Sequence, residues 1–120
     1  MLHEYEIAAY IEGSFPELYT KDDKAWQNNT GAFKAIKLLS CYLEKKSREH
    51  DSAAVTKIMR LAESIYTKGN ATVKTGIENI FVYSINTIMP QESSARKKLQ
   101  AIIPTHIFSI YVQQVLRSRN

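Results

Sequence analysis

The sequence predicts a single all-α domain, a bundle of about six helices, and three observations carry that expectation. Apolar residues recur at three- and four-residue spacing in six separate stretches, cap-forming residues stand at the stretch boundaries, and turn formers are scarce. Only four glycines and three prolines occur in 120 residues, whereas an all-β fold of this length needs a turn every roughly 8–12 residues and draws on both. Hydrophobic residues make up 44% and charged residues 23%, the balance of a globular chain that buries one core.

The first helix is expected from Leu2 to Glu12, with Tyr5, Ala8, Ala9 and Glu12 on one side, Ile7, Tyr10 and Ile11 broadening the apolar stripe, and Gly13 ending it. Phe15-Pro16 breaks the chain, since the residue before proline is pushed out of helical geometry, and Pro16 opens a short turn through Leu18. A polar stretch, Thr20 to Thr30, precedes the second helix, which carries Ala32, Ala35, Ile36, Leu39, Tyr42 and Leu43 at helical spacing. Its end, Glu44 to His50, is polar all round and should protrude. Asp51 or Ser52 caps the third helix, whose stripe is Val55, Ile58, Ala62, Ile65 and Tyr66 and whose end is the cation-then-glycine pair Lys68-Gly69.

Asn70 or Thr72 restarts the chain, making the third and fourth helices an antiparallel hairpin. The fourth, about 71–88, is apolar over most of its circumference and is expected to be the central buried helix, terminated by Pro90. Its run Ile80-Phe-Val-Tyr83 would also suit a buried strand, but no second strand offers to pair with it. The fifth helix (Ser93 or Ser94 to Ile103) opens on Arg96-Lys97-Lys98, and the sixth takes Pro104 into its first turn and carries Phe108, Tyr111, Val112 and Val115 before the basic tail Arg117-Ser-Arg119.

The formal charge of +4 is unevenly spread. Residues 1–32 hold six acids against Lys21 and Lys24, a net −4, so the remainder carries +8. The two halves are expected to compensate each other within the fold rather than face separate partners. The first residues lack a basic, apolar secretory signal, and no apolar run approaches the roughly 20 residues of a membrane span, so neither export nor membrane insertion is expected. One cysteine, Cys41, excludes an internal disulfide and a four-cysteine zinc site, and a cytoplasmic location fits that usage.

No catalytic constellation is apparent, and neither a cofactor nor a metal is expected. His3, His50 and His106 fall on three elements without a partner at ligand spacing. Cys41 lacks a base placed to activate it and reads as a semi-buried thiol. Glu78, Asn79 and Ser84, polar residues inside the most apolar helix, read as a buried network tying that helix to its neighbours, with a pocket built on Glu78 as the competing reading. Trp26, beside Asp22 and Asp23, either pins its polar segment to the core or anchors a partner. Arg96, Lys97 and Lys98 are the candidate phosphate contacts, against a plain solvated helix start.

The stretch Lys68-Gly-Asn-Ala-Thr-Val-Lys-Thr-Gly-Ile-Glu-Asn-Ile-Phe-Val-Tyr-Ser84, followed by Ile102-Ile-Pro104 and Tyr111-Val-Gln-Gln114, resembles small uncharacterised bacterial all-helical proteins. The resemblance covers the C-terminal half and brings no activity with it. It implies the helical fold and, because such proteins are sometimes encoded beside toxins, a cytoplasmic immunity role. The function expected is thus a non-enzymatic protein–protein interaction module, with another protein or a second copy as partner. The alternatives are a basic nucleic-acid-binding accessory domain and a small-ligand or enzyme site around Glu78.

Overall fold

The computed structural model describes residues 1–18 and 31–118, and within them the chain is an all-α bundle. A 3-10 turn at Glu4–Glu6 leads into α1 (Ile7–Ser14), and a second at Pro16–Leu18 follows it. Then come α2 (Ala32–Arg48), α3 (Ser52–Lys68), α4 (residues 71–88), α5 (Ser93–Ile102) and α6 (Thr105–Ser118). Among the described residues there is no strand, so the alternative for residues 80–83 falls away, and the one extended pairing is a bridge between Leu2 and Gly69.

The core is a single cluster built from the stripes the sequence marks. Ile36, Leu39 and Leu43 of α2, Ile58 and Ile65 of α3, and Ile77, Phe81 and Ile85 of α4 are all sealed from solvent. Each such side chain contributes about 1.5–3 kcal/mol relative to exposure. α2 packs against α1, α3 and α4, while α4 also packs against α3 and α6. One edge of α4 nevertheless stays in water, with Tyr83 66% exposed. The two buried hydroxyls are satisfied inside their own helices, Ser40 donating to the Ile36 carbonyl at 2.9 Å and Ser84 to the Phe81 carbonyl at 2.6 Å.

Four departures from the expected elements have physical causes. α1 begins at Ile7 rather than Leu2, because Leu2 is drawn out to the α3–α4 turn, donating to the Lys68 carbonyl at 2.6 Å and accepting from Asn70 N–H at 2.9 Å. Gly69 is not the left-handed cap that lysine-then-glycine suggests, since its φ is −77°. It is needed for closeness: a Cβ there would lie 2.7 Å from the Ile65 carbonyl oxygen and 2.5 Å from Val73 Cγ1. The left-handed position is His50, at φ 58°. Its N–H donates to the Ser47 carbonyl and the Asp51 N–H to the Lys46 carbonyl, the two bonds of a Schellman ending for α2. Finally, α4 is not a uniform α-helix, because residues Ile77–Phe81 form a π-helical turn between the α-helical segments Ala71–Gly76 and Val82–Ile88.

Caps fall where the sequence places them at Asp51, which accepts from Ala54 N–H at 3.1 Å, and at Asn70, which accepts from Val73 N–H at 3.0 Å. At α5 the cap is Glu92, whose carboxylate takes the N–H groups of Ser94 and Ala95 and offsets the cations that follow. Thr30 lies outside the described residues, and α2 starts after Gly31.

The strain at His50 and the crowding at Gly69 give opposite expectations. His50→Gly should raise stability by about 1 kcal/mol, the left-handed penalty of a side chain. Gly69→Ala should lower it by about 2 kcal/mol, because the new methyl meets backbone. Urea unfolding curves of the two variants beside the parent check both signs.

Candidate functional site

Helix α6 is tied to α3 by one carboxylate. Pro104 precedes α6 and has no side-chain group to cap it, so the first N–H groups need an acceptor from elsewhere. Glu63 of α3 supplies it, accepting from His106 N–H at 3.1 and 3.2 Å on its two oxygens and from Ile107 N–H at 3.1 Å. The His106 ring adds a bond from Nδ1 to Glu63 Oε2 at 2.7 Å. Burial pushes the Glu63 carboxyl up, but the bonds from the His106 ring and the two backbone N–H groups outweigh it and hold the group below its ordinary 4.5. An ionised carboxylate only accepts, so Nδ1 of the ring carries the proton of this bond.

Next to this clamp, α3, α4 and α6 enclose a polar cleft of about 290 Å³. Tyr66 comes from α3 and Glu78 and Asn79 from the π-helical turn of α4. Helix α6 contributes successive turns of one face, with His106, Ser109, Gln113 and Arg117 among them. The Tyr66 hydroxyl donates to Glu78 Oε2 at 3.0 Å, and burial together with that donation holds the phenol above its ordinary 10.0. Gln114 Nε2 donates to the Glu78 backbone carbonyl at 2.7 Å. Lys74 lies 5.4 Å from the centre of the Tyr66 ring, and the Tyr66 and His106 rings meet at 6.3 Å.

The Glu78 carboxylate thus bonds α3 and lines the cleft, while its backbone carbonyl takes the bond from α6. The three-residue network does not form as one unit, because Asn79 is exposed and Ser84 bonds only its own helix. Two charged groups of opposite sign, Glu78 and Arg117, line this cleft without pairing, since the ion pairs among the described residues are Lys46 with Glu49 and Asp51, and His106 with Glu63. The arrangement can orient an imidazole ring and hold a charged polar ligand. Ser109, one turn along α6, lines the cleft but makes no hydrogen bond to His106 among the described residues, so an activated nucleophile is not assembled.

With the bundle and the cleft described, the chain can be set beside known proteins. The family described as Domain of unknown function (DUF7674) matches residues 8–117. The chain belongs to this family. The match extends the C-terminal resemblance through the whole DUF7674 domain, from α1 to α6, and carries no activity with it. No curated protein and no solved structure matches the chain.

Other candidates in the DUF7674 domain fall away from the cleft. Trp26, Asp22 and Asp23 lie outside the described residues, as does Arg119. Arg96, Lys97 and Lys98 are exposed on α5, where the Arg96 Nε donates to the Pro90 carbonyl at 3.2 Å and Lys98 lines a separate groove beside His50 and Asp51. Cys41 is exposed rather than semi-buried, in a shallow groove with Tyr42 and Lys45. No group of three or more metal-ligating side chains converges among the described residues, and no described helix is long and apolar enough to cross a membrane.

Sequence reasoning missed Glu63, His106 and Tyr66 as partners in one site. The one available signal was Pro104 at a helix start, which demands an external acceptor without naming it.

Because the Glu63 carboxyl is held below its ordinary value, its contribution to stability is present above pH 4.5 and is lost as pH falls through the lowered folded value. Glu63→Ala should cost about 2 kcal/mol at neutral pH, the scale of a lost charged cap. The gap between parent and variant should close in acid, which unfolding curves at pH 7 and pH 3 measure.

Proposed function

We propose that the chain is a non-enzymatic binding protein and that its binding site is the polar cleft between α3, α4 and α6. The observation that carries this reading is that Glu78 and Arg117 line one cleft of about 290 Å³ and form no ion pair among the described residues. Its volume is at the small end of the range for ligand sites, and convergent polar groups from several helices are what fix a ligand's orientation. Binding without turnover is favoured because Glu63 is occupied with the α6 backbone and Ser109 makes no hydrogen bond to His106 among the described residues.

A protein partner is the second reading, and the exposed face of α6 favours it. Val112 and Leu116, 36% and 56% exposed, stand beside Gln113 and Arg117 on the outer turns of that helix. An apolar pair next to charged and amide groups is the composition of a contact surface. A toxin bound by an immunity-type protein is one such partner, and a second copy of the chain is another.

Thermal denaturation against a panel of amino acids, amines, carboxylates, sugars and nucleosides tests the first reading. A ligand at one hundred times its Kd adds about 2.7 kcal/mol, a rise of roughly 10 °C for a domain of this size. Glu78→Gln should abolish that rise, whereas a panel that leaves the parent unmoved removes the reading. For the second, a stoichiometric partner should co-purify from the native host and be lost with Leu116→Asp.

A further inference from the structure

We infer that the cleft takes a small zwitterion, a ligand of amino-acid size carrying an ammonium and a carboxylate, with Glu78 receiving the ammonium and Arg117 the carboxylate. The inference rests on the reading of this cleft as the binding site and names the class of its ligand.

Glu78 is half-buried, and of its carboxylate oxygens Oε2 accepts one hydrogen bond, from Tyr66. A carboxylate has about four acceptor positions, so most of its capacity faces no protein donor among the described residues. Arg117, in the last turn of α6, has five donors and gives none to a described residue. The two line one cavity and yet do not meet, an arrangement complementary to a ligand whose own charges are separated.

A ligand of one charge fits less well. A simple cation would satisfy Glu78 but meet Arg117, with Lys74 beside the Tyr66 ring adding to the repulsion. A simple anion would satisfy Arg117 but leave Glu78 uncompensated and bring a second negative charge to it. A zwitterion neutralises both ends at once. Between those ends Asn79 and Gln113 offer amide groups for the ligand's remaining polar atoms. A volume of about 290 Å³ admits an amino acid.

Nuclear magnetic resonance titrations of the full chain decide the matter. The probes are L-serine, L-glutamine, L-glutamate and L-lysine, each beside its carboxamide and its N-acetyl derivative. At least one free amino acid should shift the backbone signals of Asn79 and Gln113 and bind at least tenfold tighter than both of its derivatives. Glu78→Gln should weaken that amino acid at least tenfold without changing the N-acetyl compound, and Arg117→Gln should weaken it equally without changing the carboxamide. Both substitutions keep a polar side chain at a partly or fully exposed position, and the parent-like spectrum of each variant verifies its fold. Equal binding of an amino acid and either derivative overturns the inference, as does an amino-acid affinity untouched by Arg117→Gln. If another polar ligand of the panel occupies the cleft while no amino acid does, the inference fails and the binding site stands; if nothing binds, both fail.

Discussion

The Glu63 carboxylate is the constraint on which the second half of the molecule depends. It accepts from two consecutive backbone N–H groups at the start of α6 and from the His106 ring, so a single side chain fixes where α6 begins and how it is rotated. Helix α6 buries Ile107 and Tyr111 on one face, and that face must turn toward α3 and α4 for the opposite turns to wall a cleft. The clamp sets the rotation, because a helix held by its first two donors has no freedom left about its axis at that end. Gln114 then secures the middle of α6 to the Glu78 carbonyl. Two polar attachments therefore register a helix whose apolar stripe alone would allow sliding.

The same economy explains the π-helical turn. In an unbroken α-helix the apolar residues from Ile77 to Met89 would cover most of the circumference, and several would have to face water. The turn at Ile77–Phe81 inserts one residue into the ladder, with the Val82 N–H reaching back five residues to the Ile77 carbonyl. Ile77, Phe81, Val82 and Ile85 are thereby all buried, leaving Tyr83 as the large apolar residue of α4 on the solvent side. The irregular turn is also where Glu78 meets Tyr66 and Gln114. Such turns are often kept at functional positions, and here the packing reason and the site coincide in one stretch of five residues.

What was legible in the sequence follows from which forces are local. Stripes, caps and terminators depend on residues a few positions apart, so α2 to α6 begin and end within a few residues of the expected places, and Asp51 and Asn70 cap as their side chains suggest. Leu2 was misplaced because its partners, Lys68 and Asn70, are more than sixty residues away and outbid a first helical turn. Gly69 was assigned correctly as a helix end but for the wrong reason, since backbone proximity and not handedness demands it. Glu78 stood out because a carboxylate in an apolar helix is visible locally. Glu63 and His106 did not, because their pairing spans 43 residues and each alone looks like an ordinary surface residue.

Charge compensation follows the same division between local and distant causes. The acidic first segment was expected to be neutralised by the basic remainder; three of its described acids take a hydrogen bond from a neutral donor, Glu4 from the Asn70 amide, Glu6 from the His3 N–H and Glu17 from the Tyr42 hydroxyl at 2.7 Å, and the charges of Lys57 and Lys46 also help to hold the Glu17 carboxyl down. The Tyr42 phenol is pushed up to about 12 by burial and by that bond, so it remains a donor throughout the physiological range. A neutral donor holds a carboxylate in place without forming an ion pair, so these three acids leave most of the basic side chains free to face solvent. On α5 the positive charge is spread over solvent, where screening makes it weak. On α6 it places Arg117, itself exposed, in the same cleft as a half-buried carboxylate of opposite sign. The difference between those two settings is why the proposed binding site is the cleft rather than the more strongly basic α5.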